Sequence, residues 1–104
     1  MITLALDLST KSTGVAIFDG QELIKYKCIT ASSSNLYARI DKMIAEINKI
    51  LTTEKIDRVV IEEVLPADIN NNNNTFKALM YLQGFVCHTL NKFNLSPTFV
   101  TSSH

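Results

Sequence analysis

Residues 2–19, ITLALDLSTKSTGVAIFD, decide the fold, because they predict two strands joined by a polar turn. Within 2–9 every second residue is aliphatic, and this period of two is typical of a strand with one buried face. Residues 14–18 form the second strand. The dipeptide Asp19-Gly20 follows it and favours a tight hairpin, because both central residues of a type I′ turn need positive φ. We therefore expect a third, antiparallel strand over about 23–30.

The rest of the chain predicts two helices and two more strands. Between 36 and 51 the aliphatic residues recur at three- and four-residue steps, which indicates an amphipathic helix with one buried stripe. One of the serines at 32–34 is the expected N-cap. Residues 57–64 contain an unbroken aliphatic run, which favours a parallel strand covered on both faces. A second helix is expected over 75–93, and a final short strand over 98–101.

The resulting order, β-β-β-α-β-α-β, is typical of an α/β domain with a mixed five-stranded sheet, and 104 residues allow one such domain. Residues 65–74 contain a proline and the five asparagines Asn70–Asn74, so we expect a mobile loop there. Nothing after the last predicted strand folds back over it. We therefore expect residues 1–104 to form a single domain that is incomplete at its C-terminus.

Composition and charge exclude several classes of protein. Hydrophobic residues make up 46% of the chain and charged residues 19%, which excludes wholesale disorder. Lys plus Arg and Asp plus Glu both total 10, so a strongly basic DNA-binding arm is absent, although a local patch or a bound metal can still attract DNA. We see no signal peptide. Cys28 and Cys87 lie in apolar stretches without zinc-ligand spacing, so we expect buried, reduced thiols in a cytoplasmic protein.

Carboxylates stand near the ends of two predicted strands: Asp7 in the first, Glu62 and Glu63 in the fourth. Ligands of open α/β sheets bind outside the carboxyl ends of the strands. Converging carboxylates need a compensating charge, and Mg²⁺ takes hard oxygen ligands from one or two protein carboxylates. Successive strand residues face opposite sides, so only one glutamate can face Asp7. The structural alternative is a turn-forming Asp7 and two solvated glutamates.

Two segments resemble the RuvC-type Holliday junction resolvases of the ribonuclease H-like superfamily. LALDLS at 4–9, followed by TGVAI at 13–17, is similar to their opening, where an aspartate ends the first strand and Thr-Gly begins the second. VVIEE at 59–63 is similar to their fourth strand, where a glutamate after an aliphatic run is a metal ligand. The resemblance covers the whole chain and includes the helix at 79–91, with Gly84 at its middle.

This resemblance implies a ribonuclease H-like fold and a nuclease. Asp7 and Glu62 match metal-ligand positions of the family and are the implied catalytic residues, with Glu63 as a neighbour. In the family, two Mg²⁺ ions (Mn²⁺ as a substitute) held by four carboxylates drive hydrolysis of a phosphodiester in branched DNA, in recombination and repair. The other two acidic ligands lie on a helix beyond the fifth strand, so we expect this chain to lack part of the site.

Two other functions are also consistent with the sequence. The segment DLSTKSTG at 7–14, with the Asp19-Gly20 hairpin, also loosely resembles the phosphate-binding hairpin of actin-like ATPases and sugar kinases. Those proteins need two such domains and a much longer chain. A non-catalytic remnant that only binds DNA or dimerises is the third possibility.

DNA and a second copy of the chain are the expected partners. Lys11 in the first turn and Lys77 at the start of the second helix are candidate phosphate contacts, with ordinary surface lysines as the alternative. Gly84 in mid-helix costs about 1 kcal/mol relative to Ala, which suggests close approach of another backbone. We expect a homodimer through the helix at 75–93, or further helices covering this surface. The surplus apolar residues are Phe76, Met80, Phe85, Val86, Leu90 and Phe93.

Overall fold

The computed structural model describes residues 1–63 and 73–101, and in this part of the chain the predicted order of strands and helices is confirmed. The elements are β1 (Ile2–Asp7), β2 (Ser12–Asp19), β3 (Glu22–Thr30), α1 (Leu36–Thr53), β4 (Arg58–Glu63), α2 (Asn73–Asn91) and β5 (Pro97–Thr101).

The strands form one mixed sheet in the order β3-β2-β1-β4-β5. β1 pairs antiparallel with β2 and parallel with β4, where Leu6 lies opposite Ile61. β5 extends the sheet parallel to β4. The mixed five-stranded sheet is therefore confirmed. Because β1 and β4 are parallel neighbours, their carboxyl ends lie side by side.

The hairpin between β2 and β3 differs in its turn from the sequence prediction. Asp19 pairs with Glu22, so Gly20 and Gln21 are the two loop residues. Gly20 has a positive φ of 62°, whereas Gln21 does not have a positive φ; the non-glycine residue with positive φ in the described part of the chain is Asn94. This pattern is typical of a type II′ turn rather than a type I′ turn, because type II′ needs positive φ at its first central residue alone.

Among the described residues, one hydrophobic core lies between one face of the sheet and the two helices. The period of two along β1 is seen at its centre, where Leu4 and Leu6 are buried and Ala5 between them is only partly buried. Burial of each such side chain contributes roughly 1.5–3 kcal/mol. The buried hydrophobic residues are Leu4, Leu6, Leu8, Val15, Ile17, Ile29, Ile40, Met43, Ile47, Ile50, Leu51, Val59, Ile61, Leu82, Val86 and Leu90.

The opposite face of the sheet is accessible in the described part of the chain. Val59 and Ile61 of β4 are fully buried against the helices, but Val60 between them is only half-buried and lines a surface cavity. The expectation that β4 is covered on both faces is thus wrong for these residues. Both described helices contribute to the same core, which leaves the second face of the sheet, here named the open face, without a helix over it.

The start of α1 is set by an asparagine instead of a serine. Asn35 is the N-cap, and its Oδ1 accepts hydrogen bonds from the backbone N–H groups of Tyr37 at 2.9 Å and Ala38 at 3.1 Å. Ser33 supports the cap, because its Oγ accepts the N–H of Asn35 at 3.1 Å. The prediction of a serine cap at 32–34 is therefore wrong, by one position. Asn35 takes this role because its side chain satisfies two free backbone N–H groups at the start of the helix.

The second helix begins earlier and buries more than the sequence suggested. Asn73 and Asn74 belong to α2, although they were expected in a loop. Residues 65–72 of that predicted loop lie outside the described residues. Val86 and Leu90 are fully buried in the core, so they are not surplus apolar surface. Phe85 is exposed, as predicted, and so is Tyr81, which the prediction did not include. The other predicted residues, Phe76, Met80 and Phe93, are half-buried.

The two cysteines are both free, but the prediction that both are buried is wrong. Cys28 is exposed, because it lies on the open face of β3, the strand at one edge of the sheet. Cys87 on α2 is partly buried, and this burial raises the pKa of its thiol. No helix in the described ranges is long and apolar enough to span a membrane.

Candidate functional site

The turn that follows β1 is fixed by one buried threonine. Thr13 is fully buried, and its Oγ1 donates a hydrogen bond to the carbonyl oxygen of Ser9 at 2.7 Å. The same hydroxyl accepts the N–H of Ser9 at 3.2 Å. The chain leaving β1 is thereby tied to the start of β2, which holds the end of β1 and its last residue, Asp7, in a defined place.

Asp7 and Glu62 come together at the carboxyl ends of β1 and β4. Leu6 is paired with Ile61, and Asp7 and Glu62 are the next residues along these two parallel strands. Both carboxylates line the same cavity on the open face, which has a volume of about 400 Å³. The remaining lining residues are Ala5, Leu6, Gly14, Ala16, Tyr26, Val60, Val100 and Thr101.

The proximity of the two carboxylates has an electrostatic consequence. Partial burial and, to a smaller extent, the negative charge of Glu62 raise the pKa of Asp7 above its ordinary value. Within residues 1–63 and 73–101, neither carboxylate forms an ion pair with a basic side chain. Two uncompensated carboxylates at one cavity favour a cation between them.

The donor set fits Mg²⁺ better than a softer metal. Both candidate ligands are carboxylates, and Mg²⁺ is commonly held by one or two carboxylates while it keeps several waters. The open cavity leaves room for those waters and for a phosphate oxygen. The described residues contain no group of three or more His, Cys, Asp and Glu side chains that could hold a metal by itself. Asp7 and Glu62 therefore provide a two-carboxylate donor set.

Gly14 keeps the space beside Asp7 open. It is the direct partner of Asp7 in the β1–β2 ladder. A Cβ at Gly14 would lie 3.5 Å from the Cβ of Asp7 and 3.7 Å from the hydroxyl of Tyr26. A methyl group would fit at ordinary contact distance, but a larger side chain would extend into the cavity next to the carboxylate.

The other residues named from the sequence do not line this cavity. Glu63 is exposed and, by strand alternation, faces away from Asp7. Lys11 is exposed in the turn between β1 and β2, where its carbonyl oxygen accepts the N–H of Ala31 at 2.9 Å. Lys77 is exposed near the start of α2. The structure thus brings Asp7 and Glu62 together, and neither lysine is among the residues that line the cavity.

Sequence reasoning missed Tyr26 as a site residue. It lies in β3, two strands away from Asp7, yet its side chain lines the cavity. The available signal was alternation in the third strand, which places Tyr26 and Cys28 on one face. Only the pairing of Ala16 with Tyr26 and of Gly14 with Cys28 shows that this face is the one that carries Asp7.

Comparison with solved structures identifies the fold. Thermus thermophilus RuvC in complex with a Holliday junction substrate superposes with a TM-score of 0.85 at 12% identity, and a second T. thermophilus RuvC structure with 0.79 at 14%. The chain has the ribonuclease H-like fold. Each match covers 97% of this chain and 64% of the RuvC chain, so the chain spans less than two thirds of the length of these proteins.

More distant likenesses point to the same class of fold. A Ppx/GppA phosphatase from Aquifex aeolicus matches with a TM-score of 0.51 at 15% identity, over 97% of this chain and 36% of the phosphatase. No family model and no curated protein matches the chain. At 12–15% identity these likenesses concern the fold alone.

Proposed function

We propose that this chain is a Mg²⁺-dependent, structure-specific endonuclease that cleaves branched DNA such as Holliday junctions. The observation that carries the proposal is the meeting of Asp7 and Glu62 at one cavity, at the carboxyl ends of adjacent parallel strands. The likeness to RuvC, one structure of which holds a Holliday junction substrate, supports DNA as the substrate class.

In this proposal Asp7 and Glu62 are the metal-holding, and hence catalytic, residues of the chain. When bound, divalent ions would activate a water and stabilise the leaving oxygen of a phosphodiester in the two-metal manner. Mn²⁺ is the expected substitute for Mg²⁺. The Ser9–Thr13 hydrogen bonds hold Asp7 in position, and Gly14 leaves the approach to its carboxylate free.

Contacts to DNA outside the cavity are assigned to Lys11 and Lys77. Both are exposed and basic, and phosphate contacts of this kind position DNA without reading its sequence. Because the chain has zero net charge, it does not attract DNA as a whole. In this proposal the attraction to DNA comes from cations bound in the cavity and from local contacts of this kind.

We further propose that the chain forms a homodimer through α2. Met80, Tyr81, Gly84, Phe85 and His88 line a shallow cavity on the surface of this helix. Tyr81 is 48% exposed and Phe85 49% exposed, whereas Leu82 and Val86 on the opposite side are buried. A second copy of the same face would bury these aromatic side chains, and it would place two cleavage sites on one junction.

Cleavage of a synthetic four-way junction tests the proposal directly. The protein should bind the junction in preference to a linear duplex of the same sequence. A chain that also supplies the two further acidic ligands implied by the resemblance should nick the junction with Mg²⁺ or Mn²⁺. Asp7→Asn should abolish nicking and retain binding, because the amide keeps the shape of the side chain and removes the ligand charge. Glu63→Gln is the matched control and should nick at the wild-type rate.

The alternatives give different results in the same assays. Junction binding without metal-dependent nicking would support the non-catalytic DNA-binding protein. Metal-dependent ATP binding without junction binding would support the actin-like ATPase. The Ppx/GppA likeness does not favour the latter, because its TM-score is lower and it covers 36% of the phosphatase.

A further inference from the structure

Tyr26 occupies an unusual position for an aromatic side chain. It lies in β3, at the edge of the sheet, and its partner across the β2–β3 ladder is Ala16. The next pair on the same face joins Gly14 and Cys28. Small residues on β2 thus leave the tyrosine ring uncovered on the open face, and the side chain is 65% exposed.

The hydroxyl end of Tyr26 is directed toward the candidate metal site. Its Oη lies 3.5 Å from the Sγ of Cys28 in a hydrogen bond, and 3.7 Å from the point where a Cβ on Gly14 would stand. That same point is 3.5 Å from the Cβ of Asp7. The ring is therefore held at its hydroxyl end beside the carboxylates, while most of its surface faces solvent.

Packing does not explain this residue. Tyr26 belongs neither to the hydrophobic core nor to the partly buried residues around it. The hydrogen bond with Cys28 is the largest effect on the phenol, and it raises the pKa of Tyr26. An exposed aromatic ring beside the candidate metal site is suited to contact with a nucleotide.

We propose that Tyr26 stacks against an unpaired nucleobase of the DNA strand whose phosphate lies at Asp7 and Glu62. The inference rests on the proposed function and adds that the site would select an unpaired base in the DNA substrate. Stacking on an aromatic side chain is open to any base, because every base has a π face. A base is free to stack in this way where the duplex is interrupted, as it is at a branch point. Tyr26 would thus favour branched DNA over an unbroken duplex.

A junction that carries 2-aminopurine at the branch point provides the test. Its fluorescence reports stacking of that base, and anisotropy of a second label reports binding. Both are measured with Ca²⁺ in place of Mg²⁺, so that a cation compensates the two carboxylates while cleavage is suppressed. Wild type and Tyr26→Phe should bind and change the 2-aminopurine signal. Tyr26→Ala should lose the signal change and bind the junction roughly five- to a hundredfold more weakly, as for other base–aromatic stacks.

Tyr37→Ala is the matched control. Tyr37 is also a surface tyrosine, 61% exposed, but it lies in the first turn of α1 and does not line the cavity. Its variant should behave as wild type. Equal losses in Tyr37→Ala and Tyr26→Ala would overturn the stacking proposal, because they would reflect a general change of the surface.

The other outcomes separate this inference from the proposed function. Junction binding and a 2-aminopurine response that are unchanged in Tyr26→Ala would overturn the stacking role and leave the nuclease proposal intact. A wild-type chain that binds no junction would overturn both. Circular dichroism of each variant verifies folding, which is expected to be retained because Tyr26 is exposed at the sheet edge.

Discussion

Asp7 and Gly14 are direct partners across β1 and β2, and the absence of a side chain at Gly14 leaves the Asp7 carboxylate accessible. A Cβ at Gly14 would stand at ordinary contact distance, 3.5 Å, from the Cβ of Asp7. An alanine at position 14 would therefore fit without a clash, but a branched side chain there would extend into the cavity. Substitutions at Gly14 can therefore change the free space at the candidate metal site without changing its charge.

Gly14→Val should fold and bind divalent ions several-fold more weakly than wild type. Valine is favoured in strands, so the backbone should tolerate it, while its two γ carbons would occupy space beside Asp7. Electron paramagnetic resonance of free Mn²⁺ during a titration measures the affinity, and circular dichroism measures the fold. Gly14→Ala is the control and should retain most of the affinity. Equal Mn²⁺ affinity in the valine variant would show that this space is not part of the site.

Glu62→Gln should weaken Mn²⁺ binding by about tenfold or more, since even the loss of an outer partner of a metal ligand reduces affinity by about 10–100-fold. Glu63→Gln makes the same change of charge one residue along β4, on the other face of the sheet, and should bind as wild type. The same titration compares the two. A larger effect of Glu63→Gln would contradict the assignment of Glu62 as the metal ligand.

Asp7→Asn should stabilise the protein at neutral pH in the absence of divalent ions. The folded-state pKa of Asp7 is raised, so its contribution to stability is greatest at low pH and falls as pH rises through that pKa. The gain in the variant should be below about 1 kcal/mol, because charge interactions at exposed sites contribute roughly 0.2–1 kcal/mol. Calorimetry from about pH 3 to about pH 7 should show the difference between variant and wild type growing with pH.

Mg²⁺ provides the control for the Asp7 experiment. Added Mg²⁺ should raise the melting temperature of wild type, because a ligand that binds only the folded state stabilises it, and should leave Asp7→Asn unchanged. A variant that is less stable than wild type in chelator at neutral pH would contradict the raised pKa. Equal stabilisation of both proteins by Mg²⁺ would place the metal elsewhere.

Thr13→Val should lower the free energy of unfolding by about 1–2 kcal/mol, because it removes both hydrogen bonds of the threonine hydroxyl to Ser9 and leaves the methyl packing in place. Urea denaturation measures the change. Ser12→Ala, at an exposed neighbouring position, should have little effect. Unchanged stability in Thr13→Val would mean that the turn after β1 does not depend on this hydroxyl.

Gly84→Leu should convert a dimer to a monomer in sedimentation experiments without loss of helix. A Cβ at Gly84 meets nothing within 4 Å in the same chain, so the leucine has room in the monomer and is a better helix former than glycine. Dissociation would then arise from a clash between subunits. Ala45→Leu, at an exposed position on α1, is the control and should leave the dimer intact. A monomeric wild type at high micromolar concentration would contradict dimerisation through α2.

Local patterns were enough to predict the elements of this fold. The alternation along β1 and the three- and four-residue spacing along α1 each predicted the observed element, because each reflects one buried face. The aliphatic run at 59–61 also predicted its strand, although that strand is not covered on both faces in the described part of the chain. The errors lie where neighbouring residues compete for one role. Asn35 caps α1 in place of a serine, and the hairpin loop is Gly20-Gln21 instead of Asp19-Gly20. Such choices depend on small differences in hydrogen bonding that composition does not reveal.

The sequence alone determined the strand ends that carry Asp7 and Glu62, and alternation alone required that only one of two adjacent glutamates could face Asp7. Which one does so depends on the register between β1 and β4, since a shift by one residue would exchange Glu62 for Glu63. Tyr26 was beyond sequence reasoning for the same reason. Its contact with the cavity arises from strand pairing across β2, a long-range relationship that only the tertiary structure fixes.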